Sequence, residues 1–148
     1  MGNTTLYLAY GSNMHLKQFQ DRIGKRNGQV VGKAMLDGYE LIFRGAPDQA
    51  VATIQTRECA KTPCLLYHIN EMAEALLDLY EGFPVVYQKE TVEIEYCGVW
   101  VEAMAYIMVP GRPLNKPSSE YLSIILEAYL TQNMPIKLLE EAVKRSCE

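Results

Sequence analysis

Thr5-Leu6-Tyr7-Leu8-Ala9-Tyr10-Gly11-Ser12-Asn13-Met14 is the stretch on which the reading of this chain turns. Leu6, Leu8 and Tyr10 alternate with Tyr7 and Ala9, and Gly-Ser-Asn bounds the run, which predicts a buried strand ending at a sharp loop. A helix should start at once. Asn13 is a good N-cap, Leu16, Phe19 and Ile23 recur at helical spacing within Met14 to Ile23, and Gly24 supplies a stop. The first N–H groups of a helix lack intrahelical partners, and Gly11 lets a ligand approach the main chain, so such a loop can hold a carboxylate or phosphate. It has neither the glycine spacing of a dinucleotide fingerprint nor the Gly-Lys-Ser/Thr of a P-loop. On spacing alone, a capped turn with no ligand is the plainer reading.

The remaining chain narrows the choice of function. At 148 residues and 49% hydrophobic it suits one core, and we expect a single domain over 1–148. A net charge of −4 with scattered charges offers no basic footprint, so nucleic acid is not an expected partner. No apolar run reaches the length of a membrane span, and residues 1 to 10 lack the basic and apolar regions of a signal peptide, so the expectation is a cytoplasmic protein off the membrane. Cys59, Cys64, Cys97 and Cys147 form no C-x-x-C pair, and only His15 and His68 accompany them. Reduced thiols and no structural metal are expected.

Beyond the first helix, Val30-Val31, Met35-Leu36 and Tyr39 to Phe43 read as strands punctuated by Gly32 and Asp37-Gly38. Val51 to Ile54 and Leu65 to Ile69 read as two more, joined around Pro63. Asn70 caps a helix with a core-facing stripe of Met72, Ala73, Leu76, Leu77 and Tyr80, which stops at Gly82 and Pro84. Strand patterns from Tyr87 to Tyr96 and from Val99 to Val109 flank Cys97-Gly98, the spacing of a two-residue hairpin loop. On the first of them, Glu93 and Glu95 share the face opposite Val92 and Ile94, as a solvated edge does. Pro110 to Pro117 is a loop, either a lid or a connector. Ser118 caps a helix bearing Tyr121, Leu122, Ile125, Ala128 and Tyr129, and Pro135 opens a last helix with Leu138, Leu139, Ala142 and Val143. Strands first and helices last predict an α+β fold with a curved, barrel-like sheet.

Glu81 is the other unusual residue. A carboxylate in the last turn of a helix faces the negative end of the dipole, and its neighbours Leu79, Tyr80, Phe83, Val85 and Val86 are apolar or aromatic. Desolvation and an adverse dipole raise a carboxyl pKa, which suits a group that takes and returns a proton at neutral pH. An exposed helix-end glutamate of no consequence is the competing reading.

Tyr7 to Met14, with Asp78, Tyr80-Glu81-Gly82, Pro84 and Tyr87, resemble the two signatures of the γ-glutamylcyclotransferase-like (AIG2-like) family. Gly38-Tyr39, Ala52-Thr53-Ile54, Pro117 to Tyr121 and Tyr129 extend the likeness over most of the chain. The resemblance implies a mixed β-barrel with flanking helices and a substrate loop formed by Tyr7, Leu8, Ala9, Tyr10, Gly11, Ser12 and Asn13. It further implies that Glu81 is the general acid/base and that Tyr87 lies at the substrate, where its hydroxyl orients Glu81 or is merely that of a strand tyrosine. The implied reaction turns a γ-glutamyl amino acid or amine into 5-oxoproline with release of the amine, without a cofactor, in a monomer or homodimer.

Two positions depart from the family pattern. Thr62-Pro63-Cys64 stands where a valine-x-glycine is usual, and Arg112 lies near the place of a tyrosine that some members carry. If the Pro110 to Pro117 loop is a lid, Arg112 can pair with a leaving-group carboxylate; otherwise it is a solvated arginine. Arg22, a cation near the end of the first helix, is accounted for by the helix dipole. The alternatives to an enzyme are a non-catalytic γ-glutamyl or small-molecule binding module, against which Glu81 argues, and a protein–protein adaptor.

Overall fold

A computed structural model describes residues 4–147. The elements are β1 (Thr4–Ala9), α1 (Leu16–Ile23), β2 (Gly28–Arg44), β3 (Val51–Asn70), α2 (Glu71–Glu81), β4 (Tyr87–Tyr96), β5 (Val99–Met108), α3 (Ser119–Thr131) and α4 (Ile136–Ser146), with short 3₁₀ turns at Ser12–Met14 and Lys25–Asn27. The fold is α+β. Five strands form one mixed sheet in the order β2-β3-β1-β5-β4. β1 pairs antiparallel with β3 from Thr4↔Asn70 to Ala9↔Leu65 and parallel with β5 at Tyr7↔Met104. Tyr7, Leu8 and Ala9 are buried although they alternate between the two faces of β1, so both faces are covered there.

The sheet does not close into the expected barrel. Its edge strands β2 and β4 share no backbone ladder among the described residues. They meet through a side chain: the Tyr96 hydroxyl donates to the Val31 carbonyl at 2.9 Å, and a Cβ on Gly32 would lie within the Tyr96 ring's reach. Glu93 and Glu95 are exposed on β4, and such charges keep an open edge from pairing with another chain.

Three strands predicted before Gly45 merge into β2, and the two after it merge into β3, lengths of 17 and 20 residues. Gly32 and Gly38 do not turn the chain. They sit where the β2–β3 register slips, between Val30 and Gly32, where β2 carries one extra residue, and between Asp37 and Tyr39, where Lys61 and Thr56 are the partners and β3 carries the longer excursion. Pro63 lies inside β3 opposite Met35, two residues beyond the last β1 pair at Leu65, where a missing N–H leaves no ladder bond to β1 unmade.

Asn13 is not the cap of α1. His15 takes that place, its Nδ1 accepting from the Gln18 N–H at 3.3 Å, because the Asn13 side chain is engaged elsewhere. Gly24 ends α1 at φ 84, and Phe19 and Ile23 are the residues it buries. In α2 the Asn70 cap and the Gly82 stop are as predicted, Gly82 adopting a left-handed φ of 67. The buried stripe is narrower than expected: Ala73 and Leu77 are fully buried, Leu76 partly, while Met72 and Tyr80 are 58% and 48% exposed. Cys97-Gly98 forms the predicted hairpin turn with both residues at positive φ. Ser118 caps α3 through its hydroxyl, and Ser146 of α4 accepts from the Phe43 N–H of β2 at 2.9 Å.

Candidate active site

The end of β1 is held by aromatic packing. Phe19 stacks on Tyr67 with centroids 3.9 Å apart, and Tyr7 lies about 6 Å from both rings, which seats α1 on the sheet. The chain then passes under β3. A Cβ on Gly11 would stand 3.1 Å from the Ala52 Cβ and 3.6 Å from the Tyr121 hydroxyl, so a side chain here would press on Ala52. The Ala52 backbone is itself gripped on both sides, its N–H donating to the Tyr121 hydroxyl at 3.0 Å and its carbonyl accepting from Tyr87 at 2.6 Å.

Asn13 ties the loop together. Its Nδ2 donates to the Tyr7 hydroxyl at 2.9 Å, its carbonyl accepts from Tyr67 at 2.7 Å, and its Oδ1 accepts from Arg22. The Gly11 and Ser12 carbonyls accept from Met14 and His15, whereas the N–H groups of Gly11, Ser12 and Asn13 meet no backbone acceptor among the described turn and loop bonds. N–H groups in such a loop suit an anion or a developing oxyanion.

Glu81 stands across a cleft of about 360 Å³ from that loop. Asp78 fixes the end of α2 that carries it. The Asp78 carboxylate accepts from Tyr106 of β5 at 2.6 Å and from Lys89 of β4 at 2.9 Å, and Lys89 also reaches Glu74 at 2.7 Å. Burial lifts the Glu81 carboxyl from its ordinary range to about 7, with Arg22 pulling in the opposite direction. Desolvation is the cause named by the structure, and no hydrogen bond to this carboxyl is found among the described residues. Burial likewise raises the hydroxyls of Tyr7, Tyr10, Tyr87 and Tyr121, so these groups remain neutral donors at physiological pH.

Tyr7, Tyr10, Gly11, Ser12, Asn13, Glu81 and Tyr87 all line the cleft. Leu8 and Ala9 do not; at 0% and 1% exposure they face the core on either side of β1. The Tyr87 hydroxyl serves the Ala52 carbonyl rather than Glu81. Arg112 is not in the cleft wall. Its loop is a connector sewn to β2: Gly45 N–H donates to Pro113 at 2.9 Å, Asn115 N–H to Phe43 at 3.2 Å, and Arg44 to the Arg112 carbonyl at 2.9 Å. Tyr106 and Tyr121 line the cleft without having been marked as site residues. Arg22, set aside on dipole grounds, reaches Ser12, Asn13 and Gln18 and stacks on Tyr80.

Fold and cleft together define an α+β protein with a cleft between the loop after its first strand and the C-terminal turn of a helix. A family model described as "Gamma-glutamyl cyclotransferase, AIG2-like" matches residues 7–124, and the chain belongs to that family. A solved structure titled "Gamma-glutamyl cyclotransferase" superposes with a TM-score of 0.80 at 21% identity, over 95% of this chain and 86% of the other. An uncharacterized protein from Homo sapiens gives 0.78 at 22% identity, over 94% and 86%. YkqA from Bacillus subtilis gives 0.81 at 22%, over 97% of this chain and 54% of its own, so the chain spans about half of YkqA. At such identities these likenesses establish the fold. No curated protein sequence matches the chain. No helix of the described residues is long and apolar enough to cross a membrane.

Proposed function

We propose that the chain is a γ-glutamyl cyclotransferase, converting a γ-glutamyl amino acid or amine to 5-oxoproline with release of the amine. One observation carries the reading: Glu81, a half-buried carboxyl that burial lifts to about 7, lines the same cleft as Gly11, Ser12 and Asn13 of the loop. A γ-glutamyl compound presents an α-carboxylate, an α-ammonium and a γ-carbonyl. The loop N–H groups take the carboxylate, and ionised Glu81 removes a proton from the ammonium.

The freed amine attacks its own γ-carbonyl carbon. Loop donors stabilise the resulting oxyanion, and protonated Glu81 gives its proton to the departing nitrogen as the old C–N bond breaks. The ammonium ends as the lactam N–H; the two protons it gives up match those gained by the amine, which leaves as an ammonium, and Glu81 returns to its starting state. Because the attack is intramolecular, holding the substrate folded supplies much of the acceleration and no protein nucleophile is needed. The tyrosines that line the cleft with Glu81 add no negative charge beside the carboxyl.

Measuring 5-oxoproline release from a panel of γ-glutamyl amino acids and γ-glutamyl amides tests the reading. The wild type should turn over at least one of them, and Glu81→Gln should lower that turnover by at least about 10²-fold while leaving substrate binding. Turnover of the variant at the wild-type rate removes Glu81 from the mechanism. Silence across the whole panel overturns the activity.

A further inference from the structure

Arg22 touches both walls of the cleft without lining it. From the last turn of α1, one nitrogen of its guanidinium donates to the Ser12 hydroxyl at 3.1 Å and to Asn13 Oδ1, and the other donates to Gln18 Oε1 at 2.8 Å. Its flat face lies over the ring of Tyr80, the guanidinium carbon 3.9 Å from the ring centroid. Tyr80 immediately precedes Glu81. A planar fork with a π-face is what this double engagement requires, and an ammonium supplies neither feature.

We propose that Arg22 is the positioning residue that couples the substrate loop to Glu81, holding the Ser12 and Asn13 side chains in place and supplying the positive charge against which Glu81 ionises. The groups that face Glu81 are Arg22 from α1, Tyr7 from β1, Tyr10 from the loop after it, Tyr87 from β4, Tyr121 from α3 and Tyr80 on its own helix. All but Arg22 are neutral phenols. The nearest acid, Asp78, is taken up by Lys89 and Tyr106. Burial alone drives Glu81 towards the protonated form, and the adjacent cation opposes it. Without Arg22 a smaller fraction of the carboxyl would be ionised at neutral pH and ready to accept the substrate's proton.

This inference rests on Glu81 as the acid/base, and its test keeps the two ideas apart. The Glu81 carboxyl is titrated by ¹³C NMR in wild type, Arg22→Gln and Arg22→Lys, and kcat/KM for 5-oxoproline release is followed against pH in parallel. In Arg22→Gln the titration and the acid limb of kcat/KM should both move up by about one pH unit, a roughly fivefold loss at pH 7. Arg22→Lys keeps the charge and should leave the titration close to wild type, while KM rises several-fold because the fork to Ser12, Asn13 and Gln18 is lost. Should Arg22→Gln fail to fold, Arg22→Lys alone decides through that split between KM and titration. An unmoved titration in folded Arg22→Gln, or an unchanged KM in Arg22→Lys, overturns the coupling. If no γ-glutamyl compound is turned over, the NMR titration still reads the electrostatic link while the activity itself fails.

Discussion

The Gly11 to Asn13 wall of the cleft is tied from several directions, with Asn13 alone making three hydrogen bonds to side chains, whereas the Leu79 to Val86 wall is largely open. Leu79 and Val85 are 80% and 75% exposed, and the carboxyl between them has no hydrogen-bond partner among the described residues. The first wall resembles a preorganised donor set, since every side chain that would otherwise relax is already engaged. The second keeps its one charged group at an electrostatic cost. Buried Glu81 destabilises the ionised native state, and Asp78 compensates by clamping the helix end to Tyr106 and Lys89. Rigidity and poise are thus assigned to different walls.

The largest expected effect tests that cost. Because the Glu81 pKa is raised from 4.5 to about 7 on folding, the native state binds more protons than the unfolded chain in that interval, and stability falls as pH rises through it. The penalty is absent below the unfolded value and complete above about 7. Glu81→Gln should therefore match wild type at pH 4 and exceed it at pH 8 by up to about 3 kcal/mol, read by denaturant melts at both pH values. Equal stability at pH 8 would show that the carboxyl is better solvated than its position suggests.

The tied wall should respond to crowding. Gly11→Val places a branched Cβ against Ala52 and over the loop donors, and overpacking of this kind costs about 1–3 kcal/mol in melting experiments, with KM raised in parallel. A variant with normal melting and normal KM would put the ligand elsewhere. Next, Tyr106→Phe deletes one hydrogen bond to the Asp78 carboxylate and should cost about 1.5 kcal/mol, with Lys89 retaining the rest of the clamp. A loss below about 0.5 kcal/mol would mean that Lys89 holds the helix end unaided.

The smallest effect belongs to Arg112. With its loop sewn to β2 and its side chain absent from the cleft wall, Arg112→Ala should change kcat/KM by less than about twofold, both for substrates releasing an amino acid and for those releasing an uncharged amine. A selective loss on the carboxylate-bearing substrate would show that the loop moves over the cleft during turnover.

Taken by itself, the sequence determined the features whose causes are local. The β1 strand and its loop, the Asn70 cap and Gly82 stop of α2, the Cys97-Gly98 hairpin and the Ser118 cap each depend on residues within a few positions, so they were legible one stretch at a time. Tyr7, Gly11 to Asn13 and Glu81 could be singled out as candidates because their two motifs are short and contiguous. What tertiary structure decided spans the chain. Only the pairing partner shows that Gly32 and Gly38 mark register slips rather than turns, and only the end of β1 shows why Pro63 is tolerated within β3. How the two edge strands meet, through Tyr96 and Val31, is a contact between residues 65 positions apart. Arg22 reads locally as a helix-end cation; its engagement with Tyr80 exists because α1 and α2 fold against each other, and a contact between distant stretches leaves no periodicity or spacing by which to find it.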